Sequence, residues 1–128
     1  NELNLKGKNI VLFFYPRANT PGCTAQACNL SENYERLTKA GYSIYGVSAD
    51  QVKHQSSFSN KFGFPYPLLA DTEKTLIDSF GVWGFKKFMG KEYEGILRTT
   101  FVLNKQGVIT NVIEKVKTKD HTSQILDL

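Results

Sequence analysis

The 128 residues are 41% hydrophobic and 22% charged, a balance that suits a single domain over residues 1–128 with one core. Sixteen Lys and Arg against twelve Asp and Glu give a formal charge of +4 and a pI near 9.1, a mild excess that argues against a nucleic-acid binder built on a dense basic patch. The longest apolar runs have strand length, which excludes a helical membrane span, and residues 1–6 lack the basic start and apolar stretch of a signal peptide.

In chain order, Ile10-Val11-Leu12-Phe13-Phe14 is a continuous β-prone run and predicts a strand covered on both faces. A loop from Pro16 then leads into a helix in which Ala25, Ala27, Leu30, Tyr34 and Leu37 recur at helical spacing until Gly41 supplies a stop. Residues 42–48 predict a second buried strand, so strand, helix and strand make a parallel βαβ unit with a right-handed crossover. Residues 52–62 predict a second helix with Phe58 and Phe62 on one face and Gly63 as its stop. Phe64-Pro65-Tyr66-Pro67 cannot continue it.

Leu68-Leu69 adds a short strand. Asp71 and Thr72 are N-cap residues for a third helix through Leu76, Ile77 and Phe80 to Gly81. Residues 82–96, with the only tryptophan at Trp83, read as a long excursion of mixed aromatic, glycine and lysine content. Residues 98–103 and 108–113 flank Asn104-Lys105-Gln106-Gly107 as a hairpin, and Asp120 caps a final helix carrying Ile125 and Leu128. An early parallel unit followed by a late antiparallel hairpin points to an α/β thioredoxin-like fold, a central mixed sheet with helices on both faces. The rival is a flavodoxin-like doubly wound sheet. It lacks the terminal hairpin and carries a phosphate loop after its first strand, whereas the loop here matches neither G-x-G-x-x-G nor a P-loop.

Both cysteines, Cys23 and Cys28, fall at the first strand-to-helix junction. Two cysteines cannot frame a disulfide-rich secreted domain, and in the cytoplasm such a close pair is redox-active or metal-binding. Zinc requires four ligands at tight spacings, and the only histidines, His54 and His121, are distant in sequence and read as surface or capping residues. Cys23 lies in or just before the first helical turn, where unpaired N–H groups and the helix dipole favour a thiolate. Pro21-Gly22 bends the chain so as to expose it; the alternative is a buried structural thiol. Taken alone, Thr20 is an N-cap or a hydroxyl partner for the sulfur. Pro16 and Pro21 are loop formers, Arg98 is a strand-end cation, and Cys28 is a small residue on the inner helix face. Lys86-Lys87, with Phe85 and Phe88, and Lys115, Lys117 and Lys119 read as solvated faces, and a basic rim suits an acidic protein partner.

Pro16-x-x-x-Thr20-x-x-Cys23 resembles the active-site motif of the peroxiredoxins. Phe14-Tyr15-Pro16, Thr20-Pro21-Gly22-Cys23-Thr24 and Gln26-Ala27-Cys28 are similar to the bacterioferritin-comigratory or Q-type branch. The likeness continues through Val47-Ser48-Ala49-Asp50, Pro67-Leu68-Leu69-Ala70-Asp71 and Arg98-Thr99-Thr100-Phe101. The resemblance implies a thiol peroxidase, with no cofactor or metal, acting on hydrogen peroxide and organic hydroperoxides. Cys23 would attack the peroxide, Thr20 and Arg98 would stabilise the thiolate and the transferred oxygens, and Pro16 would shield the thiolate from water. It further implies that Cys28 resolves the sulfenic acid as a Cys23–Cys28 disulfide, reduced by thioredoxin or a similar dithiol. The protein would be a cytoplasmic monomer or weak dimer that binds neither nucleic acid nor membrane.

Five residues on an ideal helix separate two Cα atoms by roughly 8–9 Å, and a disulfide needs less than about 7 Å. If Cys28 is the resolving residue, the helix start must unwind in each cycle. Members of the family carry a hairpin before the first strand, for which this chain starts too late. Two rivals remain. One is a thiol–disulfide oxidoreductase, which usually carries Cys-x-x-Cys rather than the Cys-x4-Cys found here. The other is a non-catalytic thioredoxin-like module that binds through residues 83–93.

Overall fold

The computed structural model describes residues 9–18, 20–88 and 90–128. The expectations for the chain start fall on residues 1–8, outside the described residues, as do Asn19 of the loop and Met89 of the excursion. The chain runs β1 (Asn9–Phe14), α1 (Pro21–Glu32), α2 (Tyr34–Lys39), β2 (Tyr42–Ser48), α3 (Val52–Phe62) and β3 (Leu68–Ala70). It continues through α4 (Thr75–Ser79), β4 (Trp83–Phe88), β5 (Lys91–Ile96), β6 (Thr99–Leu103), β7 (Ile109–Ile113) and α5 (His121–Leu126).

Five strands form a sheet in the order β3-β2-β1-β6-β7. β1 pairs parallel with β2, and β2 with β3, while β6 runs antiparallel to both β1 and β7. This mixed sheet is the expected thioredoxin-like one; a doubly wound flavodoxin-like sheet is parallel. β1 occupies the centre because both of its faces are apolar: Ile10 through Phe14 are each 0% exposed. Val11, Phe13 and Tyr15 join Ala27 and Leu30 of α1, Leu37 of α2, Phe58 of α3 and Ile125 of α5. Ile10, Leu12 and Phe14 join Ile77 of α4 with Val82, Ile96 and Phe101 on the other face. Gly46 belongs in β2 because a Cβ there would come within 2.7 Å of the Phe13 ring and 2.8 Å of Leu68.

Several local expectations are corrected. The periodic run from Ala25 to Leu37 is two helices, broken at Asn33, whose Nδ2 donates to the Asn29 carbonyl at 2.8 Å. An asparagine that competes for backbone partners interrupts a helix in this way. α4 starts at Thr75 rather than next to Asp71 and Thr72. Lys74 adds a left-handed residue at φ 62°, and the Asp71 carboxylate reaches past it to accept from Ile77 N at 2.8 Å. The excursion at 82–96 is an antiparallel ribbon, paired from Trp83↔Ile96 to Phe88↔Lys91 with Gly90 at φ 80°.

α5 ends at Leu126, so Leu128 lies outside it and is exposed. Asp120 does not cap this helix through its side chain; Asn29 Oδ1 of α1 accepts from Thr122 N at 2.8 Å instead. The expected 98–113 hairpin forms as β6 and β7. Asn104 Oδ1 accepts from Gln106 N and Val108 N in its turn, and Gly107 takes φ 81°. Lys115, Lys117 and Lys119 are exposed, as is Phe85. The side chains of Lys86, Lys87 and Phe88 lie outside the described ones. Among the described residues no helix is long and apolar enough to cross a membrane.

Candidate active site

Cys23 is the third residue of α1, after the N-cap Thr20 (φ −94°, ψ 156°) and Pro21 at the first helical position. The first helical bond runs from Thr24 N to Thr20 O at 2.8 Å. Pro21 has no N–H, so those of Gly22 and Cys23 are the unpaired donors that give this helix end its positive potential. The sulfur is not exposed by the Pro21-Gly22 bend: Cys23 is only 1% accessible. Cys23, Ala27 and Leu30 lie four and three residues apart on one helical stripe, and that stripe faces the sheet.

Sheet register brings Arg98 to this sulfur. Phe14 pairs with Thr99, which leaves Arg98 opposite the chain that leaves β1 for α1. Its Nη2 donates to Cys23 Sγ at 3.4 Å and its Nη1 to Gln26 Oε1 at 2.7 Å. Arginine's planar fork serves both at once. Gly22 leaves room for it, since a Cβ there would stand 3.2 Å from Nη2. Gln26 is buried, and its Nε2 has no partner among the described residues. Thr20 holds the N-cap position without a side-chain cap bond, and its hydroxyl donates to Arg17 O at 2.9 Å. Pro16 is half-buried where the loop leaves β1.

Cys28 lies further along α1, and both thiols are free. Burial, and secondarily the Glu32 carboxylate, push the Cys28 thiol above its ordinary value. Anchors flank it. Tyr66 Oη donates to Ala27 O at 2.6 Å, and Asn29 binds α5 and its approach through Lys119 O at 3.1 Å, Thr122 N at 2.8 Å and Thr122 Oγ1 at 3.2 Å. Burial, with Cys28 as a smaller cause, raises the Tyr66 hydroxyl well above its usual value.

Some residues around the site escaped the sequence reading. Gln26 stands three positions after Cys23 on one helix face, a spacing that could have marked it. Gln55 precedes Phe58 by three and Phe62 by seven, so it is a polar residue within the buried stripe of α3. His121, expected as a surface or capping residue, is 0% exposed. Gln124 Oε1 accepts from Lys117 N at 2.8 Å while its Nε2 donates to Lys115 O at 2.9 Å, so the oxygen faces His121 Nδ1 at 2.8 Å. Nδ1 therefore carries the proton, and Nε2 accepts from Thr100 Oγ1 at 2.7 Å. Burial lowers this imidazole's affinity for a second proton.

A cysteine at a helix N-terminus beneath a guanidinium, on a thioredoxin-like sheet, defines a thiol-based redox enzyme. Residues 1–112 match the AhpC/TSA family. The chain is 42% identical over 123 residues to the putative peroxiredoxin bcp of Coxiella burnetii, covering 96% of this chain and 82% of that relative. It is 44% identical over 121 residues to peroxiredoxin Bcp of Bacillus subtilis, covering 94% of this chain and 77% of the relative. Among solved structures, the bacterioferritin comigratory protein of Xanthomonas campestris, studied for its alkyl peroxide reduction activity, aligns with a TM-score of 0.91 at 35% identity. That alignment covers 99% of this chain and 80% of the other. The chain belongs to the AhpC/TSA family as a peroxiredoxin of the Bcp or Q type, a thiol-dependent peroxidase.

Proposed function

We propose that Cys23 is the peroxidatic thiol and Cys28 the resolving one, in a peroxidase recycled by thioredoxin or a similar dithiol. The observation that carries this reading is the guanidinium of Arg98 on Cys23 Sγ at 3.4 Å. The Cys23 thiolate attacks one oxygen of a hydroperoxide. The O–O bond breaks, its electron pair leaves on the second oxygen, and that oxygen takes a proton to depart as water or an alcohol. Arg98 stabilises the negative charge that passes from sulfur to oxygen. Thr20 Oγ1, three residues away, turns from Arg17 O toward the peroxide, and Pro16 keeps bulk water off the sulfur.

Cys28 then attacks the Cys23 sulfenic acid and expels water, leaving a disulfide that an external dithiol reduces by exchange. For this step the first turns of α1 unwind, because the ideal helical separation of roughly 8–9 Å exceeds the disulfide limit. Hydrogen peroxide and organic hydroperoxides both suit the reaction, which needs only the two thiols and the dithiol. Residues 1–128 act as one domain, as a cytoplasmic monomer or weak dimer without nucleic-acid or membrane ligands. Peroxide consumption coupled to thioredoxin tests the assignment. Cys23→Ser is expected to be inactive, and Cys28→Ser to consume about one equivalent and stall unless small thiols rescue it. Full activity of Cys23→Ser, or normal thioredoxin cycling by Cys28→Ser, refutes it.

A further inference from the structure

We propose that Asp50 is a positioning residue for peroxide attack, its carboxylate setting the shape of the loop that carries Pro16 and Thr20 from β1 into α1. This rests on Cys23 being the peroxidatic thiol. Asp50 Oδ2 accepts from the backbone N–H of Ala18 at 2.7 Å and from Ser48 Oγ at 2.7 Å. Ser48 Oγ in turn accepts from Gln55 Nε2 at 3.0 Å and Asp50 N at 3.2 Å. Gln55 Nε2 also donates to Leu69 O at 3.0 Å, and Gln55 Oε1 accepts from the Tyr15 hydroxyl. Tyr15, Ser48 and Gln55 are buried, so unmade bonds here would be costly.

The donor inventory makes the chain directional. Ser48 has one hydroxyl proton and spends it on Asp50; Gln55 uses both faces of its amide. The series ends on a single carboxylate oxygen that receives two donors, one of them the loop backbone. The loop is thus tied on both sides of Pro16-Arg17, before it through Tyr15 and after it through Ala18. Among the described residues, Ala18 N makes the one hydrogen bond from the backbone N–H groups of residues 16–18 to another element. The remaining fastening is local, from Thr20 Oγ1 to Arg17 O. Parallel pairing puts the ends of β1 and β2 side by side, which is why a residue 32 positions away can hold this loop.

Releasing Ala18 frees the segment that presents Pro16 and Thr20 to the peroxide, and an error of about 1 Å in such placement costs on the order of 100-fold in rate. The test compares Asp50→Ala with Asp50→Asn, which keeps an oxygen acceptor. Rates of Cys23 oxidation and of disulfide formation are measured separately in single turnovers by quenched flow and mass spectrometry, with urea unfolding alongside. Asp50→Ala is expected to slow the attack about 10–100-fold and to leave resolution within about threefold, because the anchors at Ala27 and Asn29 are untouched. Asp50→Asn is expected to attack within about threefold of wild type. A folded Asp50→Ala protein that attacks at the wild-type rate overturns the inference, as does Asp50→Asn as slow as Asp50→Ala. Should Asp50→Ala not fold, Asp50→Ser, whose hydroxyl is one atom short of the Ala18 N–H, replaces it, and a wild-type attack rate there is equally fatal. A wild-type enzyme whose oxidised thiol is not Cys23 would overturn the underlying assignment instead.

Discussion

Replacing Tyr66 by phenylalanine should make the enzyme resolve its sulfenic acid faster while making it less stable. Tyr66 Oη donates to Ala27 O at 2.6 Å, one residue before Cys28. Its ring stays in the core among Phe13, Phe64 and Tyr34 whether or not the hydroxyl is present. Ala27 lies inside α1 and keeps its helical partner four residues on, so the variant loses one hydrogen bond without stranding a buried acceptor. Such a bond is worth about 1 kcal/mol net, within roughly 0.5–1.5. If releasing Cys28 includes breaking it, the opening equilibrium rises about fivefold, within roughly 2–13. The assay adds one equivalent of peroxide and follows disulfide formation by rapid alkylation and mass spectrometry. Attack by Cys23 should change by less than about twofold, since the wound helix still predominates. An unchanged or slower resolution rate in folded Tyr66→Phe would refute the reasoning and confine the opening to residues before Ala27.

Three further outcomes are expected. Arg98→Lys should slow peroxide attack about tenfold or more, because one ammonium cannot reach both Gln26 Oε1 and Cys23 Sγ as the fork does; single-turnover oxidation near the wild-type rate would contradict this. Burial and then Glu32 hold Cys28 as a thiol above its ordinary value of 9.0, so resolution should quicken as the pH rises from 7 to 9, by at most about tenfold per unit, and Glu32→Gln should raise it at pH 7. A flat profile would show that deprotonation of Cys28 is not needed. His121 binds its second proton below its usual 6.5 when folded, so the unfolded chain protonates first as the pH falls. Its contribution to stability is therefore complete above about pH 6.5 and declines below it by at most about 1.4 kcal/mol per unit, levelling off beneath the folded value. Urea unfolding at pH 7.5 and 5.5 should show this loss, and His121→Gln should lack that part of it.

The central sheet was legible because its signals are local. Ile10 to Phe14 announces a strand covered on both faces, and Asn104 to Gly107 a turn. The ribbon at 83–96 was not, because glycine, lysine and exposed Phe85 break the alternation that marks a half-buried strand. Cys23 was legible as a residue at a helix start, but its burial was not: the stripe it forms with Ala27 and Leu30 faces the core despite the bend at Pro21-Gly22. Arg98 was placed through the family likeness alone, since its position depends on the Phe14↔Thr99 register, a long-range fact. Ser48 and Asp50 were visible in a family block without a task. Their partner Ala18 becomes apparent only when the ends of β1 and β2 are side by side.

The burial of Cys23 and the anchors on α1 together define which part of the helix moves in the proposed cycle. A sulfur packed on the core stripe beneath Arg98 is held for attack, and the same packing keeps it from Cys28 five residues on. Forming the disulfide must therefore remove Cys23 from the core and release the Ala27 carbonyl, next to Cys28, from Tyr66. The fixed points on either side lie outside both cysteines. Ala18 is tied to Asp50, and Asn29 is tied to α5 and its approach by three hydrogen bonds. Opening the chain between them costs the buried tyrosine bond, the Arg98 bonds to Cys23 and Gln26 and the first two turns of a helix, while the sheet is left intact. Helix ends open more readily than core strands, so a resolving cysteine five residues away on the same helix can work without disturbing the fold that holds Arg98.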